Sequence, residues 1–492
     1  MSVVHRSDCP PFELEAKAVR PLVLDLDGSL IKTDMLHEMA LAYVKANPLN
    51  VFRMAAWLIK GRAHLKQRLA ERAPVDVESV PISDRLANFA AVQAARGRPV
   101  YIATASNRLV AERMARRFSF VRGVIASDGT TNLKGHEKAK ALAERFPGGF
   151  DYAGNARSDL PIFQRATEAI VVNPAGGVER AARRSANVTK VFPRWSRLDG
   201  LIKALRVHQW AKNLLIFVPI VLSGLITNMT AVAGTVSAFV ALCVVASSTY
   251  LINDLWDVAD DRQHWSKRFR PLANGELPLP WAAVAAPLGI VFGLALGAAV
   301  NLAVFECLLL YLVGTLSYSF GLKKVPILDG VILAGLFTLR IGLGVVASGA
   351  PPSQWLLVFS MFLFASLSFA KRHTEVTGVL ERGGTEIQGR GYRTSDIPIL
   401  LAAGLSAGMG AVLVMVLYII DDAFTRSFYG NTVWLWGFPI VIFLFICRIW
   451  LVCQRNELSD DPIEFAIKDK VSLGLGAALL VCFAFAWTGF AA

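Results

Sequence analysis

Between residues 214 and 487 this chain carries nine apolar runs, and no other feature restricts its fold as severely. In hydrocarbon every backbone polar group needs an internal partner, so runs of this kind resolve into membrane helices. The runs are Leu214–Ile226, Ala231–Ile252, Trp281–Val300, Ala303–Phe320, Leu328–Val346, Trp355–Phe369, Ile397–Ile420, Val433–Leu451 and Val471–Trp487. Several are short for a full crossing, which leaves their ends loosely defined. The composition, 54% hydrophobic and 18% charged with a mean hydropathy of +0.46, is too apolar for a soluble protein of this length. The net charge of +13 does not mark a nucleic-acid binder, because the cations cluster beside the apolar runs, where membrane topology and phosphate binding account for them.

The loops after the second, fourth, sixth and eighth runs hold Arg262 to Arg270, Lys323 and Lys324, Lys371 to Arg393, and Arg455 to Lys470. The alternate loops are nearly free of Lys and Arg, with Arg426 the clearest exception. The basic side is therefore expected to be cytoplasmic, in a bacterial inner (plasma) membrane, and nine crossings put the C-terminus on the opposite side. Cys243, Cys307, Cys447 and Cys482 lie in apolar runs, and neither they nor Cys9 and Cys453 form a metal-ligand pair. The stretch Met1 to Glu15 is polar and shows no cleavable signal peptide.

The second apolar run leads straight into Asn253-Asp254-Leu255-Trp256-Asp257-Val258-Ala259-Asp260-Asp261-Arg262-Gln263-His264. Carboxylates at the end of a membrane helix are costly unless they face a cavity, a metal or a cation. Asn253, Asp257 and Asp261 stand at i, i+4 and i+8 and share one face if the helix continues. Three oxygen donors on one face suit Mg²⁺, a hard cation that usually sits between carboxylates and substrate phosphates. Arg262, Lys267, Arg268 and Arg270 follow, and acidic ligands with a basic cluster behind them describe a diphosphate site.

Residues 1–195 have different physics. Leu22–Leu24, Val100–Ala103, Val124–Ala126, Asp151–Ala153 and Ala169–Val172 read as short apolar strands, with helical patterns such as Arg108 to Phe118 and Glu137 to Arg145 between them. This alternation predicts a doubly wound α/β domain with a parallel sheet, whose active residues sit at the carboxyl ends of strands. The helical stretch from Asp34 to Asp84 interrupts the sheet early and is expected to be a cap. The expected organisation is thus residues 1–195 as this domain and residues 196–492 as an all-α polytopic membrane domain.

At the end of the first strand stands Asp25-Leu26-Asp27-Gly28-Ser29. A carboxylate there can attack phosphorus, and a second one two residues on can serve as general acid and base. Thr104 ends a later strand and is placed to bond a phosphoryl oxygen; Lys138, or Lys134, is placed to neutralise its charge; Asp159 follows the strand that ends at Gly154.

These four elements in this order resemble the haloacid dehalogenase superfamily of phosphatases over about residues 20–190. The resemblance implies Asp25 as nucleophile, Asp27 as acid/base, Thr104 and Lys138 as phosphoryl ligands, and Mg²⁺ held by Asp25, Asp159 and the backbone carbonyl of Asp27. Asn155 departs from the pattern, standing where many relatives have an Asp.

The spacing of Asn253, Asp257 and Asp261 resembles the UbiA-type intramembrane prenyltransferase superfamily over about residues 200–490, and within it the decaprenyl-phosphate phosphoribosyltransferase branch. The run Arg206 to Asn213, the run Asn253 to Pro271, Tyr318 to Lys323, Asp329, Arg340 and Lys371 to Glu375 carry that closer likeness. A second acidic motif is incomplete, because Leu333 stands four residues after Asp329; Lys323, Lys324 and Arg340 are expected in place of a second cation site. Fixed cations suit a donor with an additional phosphate, such as 5-phosphoribosyl 1-diphosphate.

The resemblance implies Mg²⁺ on Asn253, Asp257 and Asp261, diphosphate on Lys267 and Arg270, and a polyprenyl phosphate as the lipid acceptor. Lys212 suits either the lipid phosphate or an interfacial anchor, Tyr318 a cavity wall or an aromatic belt, and His264 a phosphate or its own loop. Arg340 inside an apolar helix calls for an anionic partner, and Glu375 is expected to pair with Lys371 at i, i+4. Transfer of a 5-phosphoribosyl group leaves a phosphate monoester on the sugar, and the first domain resembles the enzyme that removes it. The expected product is polyprenyl-phosphoryl ribose, a pentose donor for cell-envelope glycans. Two rivals share parts of this evidence: a prenyltransferase acting from a prenyl diphosphate on an aromatic or other small acceptor, and a transporter, which the lack of a convincing internal repeat disfavours.

Overall fold

The structure is a computed structural model that describes residues 20–128, 133–193, 197–387, 389–425, 428–458 and 462–490; Cys9, the polar N-terminal stretch and Arg426 lie outside the described residues. The chain forms two compact units, one of residues up to Ala204 together with Asp254–Ala283, the other of Leu205–Asn253 together with Val284 onwards.

The first unit is built on six parallel strands, β1 (Leu22–Leu24), β2 (Val100–Asn107), β3 (Val121–Ser127), β4 (Asp151–Gly154), β5 (Glu168–Val172) and β6 (Val188–Phe192), in the order β3-β2-β1-β4-β5-β6. Strands buried on both faces read as continuous apolar runs, which is why β1 is legible as Leu-Val-Leu. Its side chains alternate between two cores: Leu22 and Leu24 pack with Ile102 and Val172, Val23 with Tyr152 and Val171. The strand order reverses at β1, the switch point at which such sheets bind ligands. Leu24 is level with Ile102 and Ala153, so β1 ends beside the middle of β2, which runs on past Thr104 to Asn107, and one residue short of the end of β4. The expected cap consists of α1 (Met35–Ala46), α2 (Asn50–Ile59) and α3 (Arg62–Arg72). Asp34 starts α1 by accepting the Leu36 amide at 2.8 Å.

Among the described residues, eight helices are long and apolar enough to cross a membrane: Met229–Trp256, Leu279–Val300, Leu302–Phe320, Leu328–Ser348, Gln354–Glu381, Thr394–Asp421, Thr432–Gln454 and Lys470–Thr488. The expectation of nine is corrected at its first member. In place of a Leu214–Ile226 helix the chain forms a 3₁₀ segment, Val207–Phe217, and a single short turn of α-helix, Val218–Leu222. Pro219 has no amide to donate to the preceding turn, and Gly224 at φ +73° turns the chain away. The odd number of crossings that placed the C-terminus opposite the basic side therefore lacks its first member.

The 3₁₀ segment is wedged tightly onto the Leu328–Ser348 helix: a Cβ on Gly344 would lie 2.1 Å from the Ile216 carbonyl oxygen. Small residues permit this close approach in membrane packing. It brings Asn213 within 2.9 Å of Arg340.

Candidate functional site

At the switch point of the sheet the predicted residues meet. Asp25, 7% exposed, accepts the Lys138 ammonium at 2.8 Å on Oδ1 and the Ser29 hydroxyl at 3.2 Å on Oδ2. Lys138 also donates to the Ala103 carbonyl at 3.1 Å and the Tyr152 hydroxyl at 3.0 Å. Tyr152 in turn donates to Asp159, whose other oxygen accepts the amides of Asn155 and Ala156 at 3.0 and 2.9 Å. Asp27 accepts the Met35 amide at 2.8 Å on Oδ1, and the hydroxyls of Thr104 and Ser106 at 3.1 and 2.7 Å on Oδ2. Thr104 thus meets Asp27 directly, while its own oxygen accepts the Ser106 amide at 2.9 Å.

The electrostatics follow from crowding acids out of water. Burial pushes the Asp25 carboxyl up to about 7 against the pull of Lys138, and the charges of Asp159 and Asp27 add to the rise. Burial, reinforced by Asp34, pushes Asp27 up to about 6 while its three hydrogen bonds hold it back. A carboxyl in that range gives and takes a proton near neutral pH.

Asn155 lies over Gly28: a Cβ on Gly28, which sits at φ +75°, would come within 2.3 Å of the Asn155 amide nitrogen. Three residues here carry no sequence signal of their own. Ser106 and Tyr152 are ordinary strand residues, and Lys66 of α3 donates to the Ala105 carbonyl at 2.7 Å. Burial lowers the Lys66 ammonium, with Asp27 and Asp34 opposing.

The acidic motif does not continue as one helix. The Met229–Trp256 helix stops and Asp257, at φ −91° and ψ 6°, caps a new one, Val258–Gln263, so the expectation of one continuous helix through Asn253, Asp257 and Asp261 is corrected. Asp261 still donates its amide to the Asp257 carbonyl at 2.8 Å. Arg270 Nη1 donates to Asp254 at 3.1 Å and to Asp261 at 2.7 Å, both acids being 2% exposed. Asp254 has no place in the i, i+4 pattern, which explains why the spacing alone overlooks it. His264 Nδ1 receives the Ser266 amide at 3.2 Å and so braces its own loop, which also holds Lys267.

Within the membrane unit a cavity of about 230 Å³ is lined by Arg206, Lys212, Asn253, Tyr318, Arg340 and Lys371 among others. Lys323 lies outside this lining, in the 3₁₀ turn Leu322–Lys324. Arg340, 6% exposed, meets no carboxylate among the described residues, so the anionic partner expected of it is left to a substrate. It donates to Asn213 at 2.9 Å, to the Leu336 carbonyl at 2.6 Å and to the Tyr311 hydroxyl at 3.1 Å, and it lies against the rings of Tyr311 and Phe337. A guanidinium with only neutral partners retains its affinity for an anion.

Asp329 is bound up in a different network. Arg372 Nε donates to it at 2.6 Å, the Tyr392 hydroxyl donates to its other oxygen, and Arg390 stands at 3.7 Å. The same Arg372 reaches Glu375 at 2.6 Å and the Tyr318 hydroxyl at 3.0 Å. Glu375, expected to pair with Lys371, takes the adjacent Arg372, which also holds Asp329, with Arg390 3.6 Å away.

Residues 216–468 match the UbiA prenyltransferase family. An uncharacterized protein of Sinorhizobium fredii, y4nM, is 36% identical over 468 residues, covering 95% of this chain and 91% of that one. The decaprenyl-phosphate phosphoribosyltransferase of Mycolicibacterium smegmatis is 40% identical over 293 residues, covering 56% of this chain and 88% of the relative. Among solved structures, a UbiA homolog from Archaeoglobus fulgidus bound to DMAPP and Mg²⁺ superimposes with a TM-score of 0.46 at 16% identity, covering 59% of this chain and 98% of that one.

Proposed function

The chain belongs to the UbiA prenyltransferase family, and from that premise we propose that its membrane unit transfers a 5-phosphoribosyl group from 5-phosphoribosyl 1-diphosphate to a polyprenyl phosphate. The observation that carries this reading is the cationic cavity. Arg206, Lys212, Arg340 and Lys371 line one space with Asn253, while Asp329 is neutralised by arginines. A donor with three phosphates uses such a surface more fully than a prenyl diphosphate does.

The lipid phosphate oxygen attacks C1 of the sugar as the C1–O bond to diphosphate breaks, and the diphosphate leaves with the electron pair. The nucleophile is already anionic, so the protein's task is to bring two anions together and stabilise the leaving group. Lys212 and Arg340 serve the first part, Lys267 and Arg270 the second. Asn253, Asp257 and Asp261 would hold Mg²⁺. Their oxygen-only donor set fits a hard cation. Bound there, Mg²⁺ neutralises the diphosphate.

The sheet unit is assigned the removal of the 5-phosphate. Asp25 attacks phosphorus and the P–O ester bond breaks, with Asp27 giving its proton to the departing sugar oxygen. Water then attacks the aspartyl phosphate, Asp27 takes its proton, and inorganic phosphate is released. Among the described residues no three His, Cys, Asp or Glu side chains are grouped to hold a metal by themselves. Asp25 and Asp159 with the Asp27 carbonyl would nonetheless suit Mg²⁺, since three acids here face one lysine at bonding distance. The product, polyprenyl-phosphoryl ribose, suits use as a pentose donor in cell-envelope glycans.

Mass analysis of lipid made by purified protein from polyprenyl phosphate, 5-phosphoribosyl 1-diphosphate and Mg²⁺ tests both assignments. A ribosyl lipid without its 5-phosphate supports both. A lipid that keeps the phosphate supports only the transfer, and turnover of prenyl diphosphate with an aromatic acceptor instead would replace the reading.

A further inference from the structure

The loop that follows the acidic motif has a second position in the fold. Residues Asp254–Ala283 are compact with the sheet unit, and their Gly275–Trp281 stretch closes a cavity of about 280 Å³ against the end of the sheet. Asp27, Asn155 and Lys32 line one side, and Gly275, Glu276 and Trp281 the other. The wall is a built contact. Arg262 grips Glu38 of α1 with both guanidinium nitrogens and holds the Ala273 carbonyl at 3.0 Å with Nε. Gly275, at φ +78°, runs so close to Lys32 that a Cβ would lie 2.7 Å from the Lys32 Cβ. Trp281, 49% exposed, stands in the first turn of Leu279–Val300, a helix apolar enough to cross the bilayer. Tryptophan at such a position marks the membrane interface.

Resting on the phosphatase assignment, we propose that this cavity is the sugar subsite of that centre and takes a pentose phosphomonoester carried on a membrane lipid. Its volume suits one sugar ring beside Asp27, the group assigned to protonate the departing sugar oxygen. Asn155 and Glu276 offer partners to ring hydroxyls, and Lys32 offers charge to the second, lipid-linking phosphate. The wall runs on in sequence into Leu279–Val300, a helix apolar enough to cross a membrane, and this continuity favours a lipid-borne phosphomonoester over a soluble one.

The test compares hydrolysis of synthetic farnesyl-phosphoryl ribose 5-phosphate in detergent micelles with that of soluble ribose 5-phosphate, using the full chain, with p-nitrophenyl phosphate as a reporter of phosphatase chemistry alone. The wild type is expected to favour the lipid substrate by about tenfold or more in kcat/KM, the size of a modest pocket selectivity. Glu276→Ala and Trp281→Ala each shrink that ratio. Equal kcat/KM for the two ribose phosphates, or a ratio that neither variant moves, overturns the subsite while p-nitrophenyl phosphate turnover leaves the phosphatase assignment standing. No turnover of any of the three overturns both.

A separate observation concerns α2. Only Asn50 of this helix is buried, while Phe52 is 72% and Ile59 87% exposed, with Leu49 just ahead of the helix at 67%. These three lie at i, i+3 and i+10, on one helical face, and Arg53, Lys60 and Arg62 flank them. An apolar helical face rimmed by cations is the signature of insertion into the headgroup region of an anionic bilayer. We infer that α2 inserts into the headgroup region of an anionic bilayer. The full chain carrying p-benzoylphenylalanine at position 52 or 59 is reconstituted in phosphatidylcholine vesicles containing phosphatidylglycerol and irradiated. A phospholipid adduct at these positions, absent with the probe at Lys140 of the opposite domain surface, is expected; lack of the adduct at both, or equal adducts at all three, overturns the inference.

Discussion

Arg262 and Glu38 stand 224 positions apart in sequence and meet in a two-pronged ion pair, Nη1 to Oε2 at 3.0 Å and Nη2 to Oε1 at 2.7 Å, with both side chains almost wholly buried. Glu38 Oε1 also accepts the Thr33 hydroxyl at 2.8 Å, and the Thr33 carbonyl receives the Gly28 amide at 3.0 Å. The pair therefore braces the loop that carries Asp27.

Arg262→Ala leaves a buried carboxylate without its cation and is expected to destabilise the protein by about 3–5 kcal/mol, whereas the Arg262→Met, Glu38→Leu double variant loses less than the sum of its parts. Thermal unfolding of the four proteins of that cycle measures the coupling, and additive losses would show that the fork contributes nothing of its own.

Arg340→Lys keeps the charge but cannot reach Asn213, the Leu336 carbonyl and Tyr311 together. Transfer is expected to fall by about 10²–10³ in kcat/KM for the diphosphate donor, the usual cost of one lost donor in a preorganised anion site. A near-normal rate for Arg340→Lys would show that charge alone suffices there.

Asp25→Asn is expected to stop dephosphorylation while the ribosyl lipid accumulates with its 5-phosphate intact. Mass analysis of the lipid product reads this directly. Continued appearance of the dephosphorylated lipid would reassign the nucleophile.

In the metal-free protein Asp27 binds its proton more tightly folded than unfolded, because its carboxyl is raised to about 6 from the ordinary 3.8. Stability consequently falls as pH rises through that window, and the penalty is complete above it. Asp27→Asn removes the penalty, so its melting temperature is expected to exceed the wild type's at pH 7.5 and to approach it near pH 4. The same difference at both pH values would trace the effect to packing instead.

The sheet was legible where burial made the strands apolar, as in Leu22–Leu24, and silent where it did not. β6 reads Val-Thr-Lys-Val-Phe because it lies at an edge, and Lys190 earns its place there by lying over the rings of Phe89 and Phe192. Leu214–Ile226 misled because hydropathy counts Pro219 as one residue among many, whereas its missing amide decides the local conformation. At the sheet site, Asp25, Asp27 and Thr104 could be placed in advance because strands converge at a switch point, and Asp159 and Lys138, with Lys134 as its alternative, by the order of the four elements. Tyr152, Ser106 and Lys66 could not, since their positions depend on packing alone. The partners of Glu38 and Asp329 come from remote sequence, and no spacing rule reports such contacts.

The discontinuity of the sheet unit sets an order of events during synthesis. Asp254–Ala283 leaves the ribosome only after the Met229–Trp256 helix has been made. Until then Glu38 has no Arg262, and the cavity at Asp27 has no outer wall. Domains usually fold as they emerge, yet this one is made in two instalments separated by a membrane helix. A nascent chain stalled before residue 254 should therefore present an unfinished, protease-sensitive sheet unit, and completion of its fold becomes a report that the first long helix has been made.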